Sequence, residues 1–252
     1  VMAPLDPEMA AWLHRELRSH GVELFLGSPV AAFEAPTGSE TARASVVVLD
    51  GNTGSAKTEV LNLLPGFGVQ VIDLEGLARH RGSLFGAVGP QPSQKAFEGA
   101  LALALAGLDP SRPVVVEAES SKIGNCRLPP ELWKAMVAAP RVAISAPRAV
   151  RAEYLSRAYA DLTADAERLV ATVELLKPVH STEVIEEWLA LAAAGEFTAL
   201  ADGLMERHYD PRYGKHRARM AVPFHEVEVS NLRPEALPVI AARVAEAVKR
   251  LA

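Results

Sequence analysis

The stretch Val46–Pro65, VVVLDGNTGSAKTEVLNLLP, decides how the rest of the chain is read. A continuous β-branched run ends in a Gly-rich turn, and the turn leads through Lys57 and Thr58 into a helical pattern. From Gly51 to Thr58 it follows the phosphate-loop spacing G-x-x-x-x-G-K-[ST], except that Ala56 stands where the pattern has its second glycine. In such a loop the backbone N–H groups converge on one point and bind an anion. Lys57 adds a full charge at the distal phosphates, and Thr58 offers a hydroxyl to a phosphate or to magnesium. The expected phosphate-binding residues are therefore Gly51, Asn52, Thr53, Gly54, Ser55, Ala56, Lys57 and Thr58. The Ala56 methyl is harmless in helical dihedrals; if φ must be positive it costs roughly 1–2 kcal/mol or more. The motif specifies phosphate or pyrophosphate and does not by itself specify ATP.

Outward from this loop the pattern is strand, loop, helix, repeated. Val69–Asp73, Pro113–Glu119 and Arg141–Ala146 read as further buried strands, and Phe224–Ser230 as a weaker fifth. Helical patterns cover Lys57–Leu64, Ser93–Leu108, Pro130–Val137, Ala149–Leu176, Glu183–Ala194 and Pro234–Leu251. The alternation predicts an α/β fold, a phosphate-loop NTPase-like doubly wound parallel sheet with helices on both faces. In such sheets ligands bind outside the carboxyl ends of the strands. Upstream, Asp6 and Pro7 start a helix to about residue 20, Val22–Leu26 reads as a short strand, and Glu34–Ser45 is a polar linker. We place an N-terminal appendage at 1–45 and the phosphate-loop domain at 46–252.

With 252 residues, a formal net charge of −5, 49% hydrophobic and 23% charged residues, the composition is that of an ordinary globular chain. The negative balance argues against non-specific binding of nucleic acid, DNA included, by the whole chain. The single cysteine, Cys126, excludes an internal disulfide and a Cys-rich zinc site. No apolar run is long enough to span a membrane. A cytoplasmic protein is the expectation.

Polar residues gather after the strands. Asp73, Glu75, Arg79, His80 and Arg81 crowd nine positions after the second strand and suggest a substrate and phosphate clamp. Glu117 and Glu119 leave the third strand on one face, as a magnesium-holding acid or a paired acid and base would; Glu119 is the favoured member. Arg148, Arg151 and Arg157 recur at helical spacing after the fourth strand, with Tyr154 on the same face. That pattern fits either a lid over phosphates or an ordinary charged helix face. Met205–Met220 is the most basic segment. Arg207, His208, Tyr209, Arg212, Tyr213, Lys215, Arg217 and Arg219 interleave cations with aromatics, as suits an RNA backbone and unstacked bases. Cys126 is expected to be an inert loop thiol, although nearby Arg127 would favour its thiolate.

Taken in order, GNTGSAKTEVLNLLP, DLEGLARHRGSLFG, VEAESSKIGN with the following Leu-Pro, and HYDPRY resemble the tRNA 2-selenouridine synthase family over roughly Val46 to Ala221. The resemblance implies a transferase with a two-step reaction on the wobble 2-thiouridine of a tRNA anticodon arm. Geranyl diphosphate first alkylates the sulfur, and selenium from selenophosphate then displaces the S-geranyl group. No permanently bound cofactor is implied; both small molecules are co-substrates, and magnesium is compatible. On this reading the loop holds the diphosphate, Arg79, His80 and Arg81 stabilise it as it leaves, Glu119 completes the catalytic set, and Asp73, Glu75, Arg148 and Arg151 clamp the substrate. In that family a rhodanese-like domain precedes the loop. Here residues 1–50 resemble instead a fragment of a pyridine nucleotide–disulfide oxidoreductase without its dinucleotide motif, so geranyl transfer is a firmer expectation than selenium exchange. Two other readings fit the loop: a small-molecule kinase or NTPase, and a non-catalytic RNA- or nucleotide-binding remnant.

Overall fold

The computed structural model describes residues 45–212, 222 and 224–251. Residues 1–44 of the appendage, including its expected helix and strand, lie outside the described residues, as do Tyr213, Lys215, Arg217 and Arg219. The core is a five-stranded parallel sheet. Its strands are β1 (Val46–Gly51), β2 (Gln70–Ile72), β3 (Val114–Glu117), β6 (Arg141–Ser145) and β7 (Phe224–Glu228), in the order β2-β3-β1-β6-β7. β1 is central, with Val47 opposite Val115 on one side and Asp50 opposite Ala143 on the other.

The valine runs make this sheet because successive side chains alternate between faces. Val47, Leu49 and Val115 enter one core with Val60, Leu61 and Leu64 of α1 (Lys57–Leu63) and its following turn, and with Ile240, Val244 and Val248. The latter three lie on the last helix, α10 (Leu237–Leu251). Val48, Val114 and Val116 enter the opposite core with Leu74 and Ala78 of α2 (Leu74–Ala78), Phe97 and Leu101 of α3 (Gln94–Ala106), and Met136 of α4 (Pro130–Ala138). Helices thus cover both faces, and the loops after β1, β2 and β3 emerge at one edge.

Between β3 and α4 a short hairpin, β4 (Lys122–Ile123) with β5 (Cys126–Arg127), places Cys126 in the core at 1% exposure. Burial pushes its thiol pKa up, which disfavours the thiolate. Cys126 is therefore a packed strand residue and not a loop thiol.

The helix expected over Ala149–Leu176 is three helices: α5 (Arg148–Ala158), α6 (Ala160–Thr163) and α7 (Ala166–Glu174). The chain departs from helical dihedrals at Tyr159, and Asp165 caps α7 by accepting from the Arg168 N–H at 3.0 Å. The breaks let Leu162, Leu169 and Val173 join a third apolar cluster around Trp188 of α8 (Thr182–Ala193), with Leu200 and Leu204 of α9 (Phe197–Leu204). A straight helix would carry those residues away from the cluster. No helix among the described residues is long and apolar enough to cross a membrane.

Candidate phosphate-binding cleft

The loop between β1 and α1 forms the floor of a cleft of about 670 Å³, a size suited to a small-molecule ligand. Lys57 Nζ lies back across the loop and donates to the Gly51 carbonyl at 2.8 Å, with the Asn52 carbonyl at 3.5 Å. Gly54 has φ +82°, and a Cβ there would sit 2.8 Å from Leu155 and 3.1 Å from the Arg151 carbonyl, so only glycine lets α5 back the loop this closely. Beneath the loop, Asp50 and Arg141 form an ion pair at 3.1 Å, with both side chains about 5% exposed or less. Asp50 also accepts from the Gly51 N–H at 2.6 Å.

Ala56 has φ 58° and ψ 31°, so the left-handed conformation is required after all. Its methyl is buried in the apolar core beside α1. Two effects therefore oppose each other. Strain of about 1–2 kcal/mol is offset by about 0.8 kcal/mol of methyl burial and by roughly 0.4–1 kcal/mol from a less flexible unfolded chain. Ala56→Gly is expected to change stability by less than about 1 kcal/mol in denaturant unfolding; a larger change in either direction would mean that one of these effects is misjudged.

Three carboxylates line up beside Lys57 and Thr58. Thr58 Oγ1 donates to Glu75 Oε2 at 2.9 Å, and the Glu75 N–H donates to Glu117 Oε1 at 2.6 Å. Glu117 ends β3 fully buried. Desolvation pushes its pKa up to about 8, with the Asp73 and Glu75 charges adding to the shift and the Glu75 N–H opposing it. Glu119 lines the cleft. Burial raises its pKa well above the usual range, and the charge of Glu75 and a hydrogen bond to it act in the same direction, against the pull of Lys57. Gly82, at φ +68°, lies against this pair, where a Cβ would overlap Glu119 Oε1.

A raised carboxyl pKa gives a definite sign. Glu117 stabilises the fold fully below its unfolded pKa near 4.5 and loses that contribution as pH rises through about 8. Glu117→Gln keeps an acceptor for the Glu75 N–H and never ionises. It is expected to match the parent protein near pH 5 and to exceed it by a few kcal/mol, on the order of the shift, above pH 8. Thermal melts across that range check this; parallel pH profiles for the two proteins would contradict it.

The remaining sequence-derived residues divide sharply. Arg81 reaches the cleft wall, paired with Asp161 at 3.0 Å and stacked over Tyr159 at 4.8 Å. Arg79 does not: it is the exposed left-handed cap of α2. His80 is half-buried off the cleft, and its pKa is lowered by desolvation against the pull of Glu75. Asp73 is the N-cap of α2, accepting from the Gly76 N–H at 2.6 Å, so its carboxylate serves the helix and not a substrate. Arg148 pairs with Asp202 at 2.8 Å and Glu206 at 2.9 Å on the surface, outside the cleft. Arg151 is buried behind the loop and not poised above it. Arg157 donates to the Leu232 carbonyl at 3.1 Å.

In the basic segment, Arg207 is held bidentately by Glu187 at 2.7 and 3.1 Å. His208 is 5% exposed and hydrogen-bonded to His180 at 2.9 Å. Desolvation, with the Arg212 charge and His180, lowers its pKa to about 4, so it is neutral at pH 7. His208 is thus a buried part of the cleft wall and not an exposed contact to an RNA backbone. Tyr209 and Arg212 also line the cleft. Trp133, Tyr154 and Tyr159 complete the wall, with Tyr154 hydrogen-bonded to Glu59. Of the aromatic wall, Tyr154 was singled out in the sequence as part of a possible lid and Tyr209 as a nucleic-acid contact, while Trp133, Tyr159 and the Asp50–Arg141 pair went unread; an acid directly before Gly51 was the available signal for the pair.

Residues 44–176 match the family model described as the tRNA 2-selenouridine synthase AAA domain. The chain belongs to the tRNA 2-selenouridine synthase family. It is 43% identical over 120 residues to the tRNA 2-selenouridine synthase of Hahella chejuensis, covering 46% of this chain and 31% of that one. It is 34% identical over 210 residues to the tRNA 2-selenouridine synthase of Pseudomonas syringae pv. syringae, covering 70% and 55%. The chain thus spans roughly a third to a half of the length of these curated tRNA 2-selenouridine synthases. Among solved structures, a gluconokinase from Sinorhizobium meliloti 1021 aligns over 82% of this chain and 98% of its own, with 17% identity and a TM-score of 0.34. In this tRNA 2-selenouridine synthase family member, the matched region contains the phosphate loop, the carboxylate cluster and most of the aromatic wall.

Proposed function

We propose that this chain carries the prenyl-transfer part of wobble-uridine modification in tRNA. The loop holds the diphosphate of geranyl diphosphate while the 2-thiouridine sulfur attacks the first carbon of the geranyl group. A carbon–sulfur bond forms, the carbon–oxygen bond breaks, pyrophosphate leaves with the electron pair, and the thiouracil ring loses its N3 proton. Lys57 and Arg81 face the developing charge on the diphosphate. Exchange of the S-geranyl group for selenium from selenophosphate would follow.

The observation that supports this reading is an apolar pocket beside the phosphate cleft, lined by Phe85, Leu162, Phe197 and Leu200 and sharing Thr53, Tyr159 and Tyr209 with it. A diphosphate bearing a hydrocarbon chain needs these two environments side by side. A second reading, a small-molecule kinase, draws on Thr58 and Glu75, whose oxygens suit magnesium. Among the described residues no group of three or more His, Cys, Asp or Glu is placed to hold a metal. Magnesium would therefore rely on Thr58, Glu75 and the phosphate oxygens together, where it would neutralise diphosphate charge. The deciding experiment incubates the chain with tRNA bearing wobble 2-thiouridine and geranyl diphosphate, then weighs the digested nucleosides. S-geranyl-2-thiouridine is the expected product. Its absence, with magnesium-dependent ATP turnover in a parallel reaction, would favour the kinase.

A further inference from the structure

We propose that Asp210 is a positioning residue for the phosphate loop, fastening it to the helical segment that forms part of the cleft wall. The proposal rests on reading that loop as a phosphate cradle. Asp210 accepts from Asn52 Nδ2 at 3.1 Å, across 158 residues of chain. Its two oxygens also receive both terminal nitrogens of Arg151, at 3.0 and 2.7 Å. The same guanidinium donates to the Thr53 carbonyl at 3.0 Å and, through Nε, to the Ala146 carbonyl at 3.2 Å. Two successive loop residues, Asn52 and Thr53, are therefore held from behind by one charge pair, whose acid comes from near the other end of the chain.

The backbone before Asp210 explains how it reaches the loop. Met205–Tyr209 is a π-helical turn continuing α9. A π turn inserts one extra residue, which rotates everything after it by roughly 100° about the helix axis. That rotation aims Asp210 at Arg151 and Asn52. The same segment carries His208, Tyr209 and Arg212 into the cleft wall. Arg151 has 6% and Asp210 24% of its side chain exposed, so water screens this bidentate pair poorly. The loop and this part of the wall thereby become one mechanical unit.

The test uses hydrogen exchange and calorimetric titration with inorganic pyrophosphate. Asp210→Asn keeps the shape but removes the charge and presents an N–H to one Arg151 nitrogen. It is expected to speed ligand-free exchange at residues 52–55 by about tenfold and to weaken pyrophosphate binding by a similar factor. Glu187→Gln, which loosens only the exposed Arg207 pair on the same segment, is expected to change neither. If Asp210→Asn does not fold, Asn52→Ser removes a single hydrogen bond and is expected to give the same changes at smaller size. Unchanged exchange at 52–55 with unchanged affinity overturns the proposal. So does a uniform rise in exchange that includes the central strand 114–117, because that pattern is plain destabilisation. A parent protein that binds no pyrophosphate overturns the cradle reading first, and this proposal with it.

Discussion

Lys57→Ala is expected to weaken binding of inorganic pyrophosphate by about a hundredfold while leaving the melting temperature nearly unchanged. The size follows from charge. A hydrogen bond to a charged group contributes roughly 1.5–3 kcal/mol, and each 1.4 kcal/mol is a factor of about ten in affinity. In the ligand-free loop the ammonium donates to the Gly51 carbonyl at 2.8 Å, already over the floor of the cleft. When the side chain is cut back, cleft water can take its place at the Gly51 and Asn52 carbonyls, so the fold is expected to lose little. Calorimetric titration alongside thermal melts separates the two effects. Unchanged pyrophosphate affinity would remove the phosphate-cradle assignment altogether.

Replacing Arg141 with methionine is expected to have the largest effect on stability. Arg141 and Asp50 are 4% and 3% exposed, and the guanidinium pairs with that carboxylate beneath the loop at 3.1 Å. Removing one member of a buried pair costs about 3–5 kcal/mol, because the remaining charge stays out of water. For a domain of this size that is a fall in melting temperature of roughly 6–20 °C. The double variant Arg141→Met with Asp50→Asn removes both charges, and the introduced amide oxygen would still accept from the Gly51 N–H. It is expected to recover most of the loss. Chemical denaturation of the parent, single and double variants measures this directly. A single variant within about 1 kcal/mol of the parent would show that Asp50 does not depend on the arginine.

Much of the site was hidden in sequence because its partners are far apart along the chain. Asp73 and Glu75 looked alike, two acids after a strand, yet one caps its own helix and the other bridges Thr58 and the Glu117–Glu119 pair. Arg148 and Arg151 are three residues apart on one helix. One is tied to Asp202 and Glu206 on the surface, and the other is buried behind the loop. Local spacing places both near the strand edge but does not tell on which side of the loop. His208 illustrates the reverse. An interleaved basic and aromatic run reads as a nucleic-acid surface, but its histidine is enclosed by His180 and Tyr209.

The sequence by itself determined the parallel strands, the alternation of helices, the phosphate loop at the end of β1 and the family. Each of these is encoded over a few neighbouring residues. A β-branched run must be buried on both faces, and glycines followed by Lys-Thr have one backbone path that leads into a helix. The tertiary structure decided the break of one long helix at Tyr159, the left-handed angle at Ala56, and which cations face the cleft. It also decided the supports under the loop, Asp50 with Arg141 and Arg151 with Asp210, which join positions 91 and 59 residues apart. Such pairs form because a buried charge is costly unless it is both paired and hydrogen-bonded. No local pattern records which partner packing will bring near.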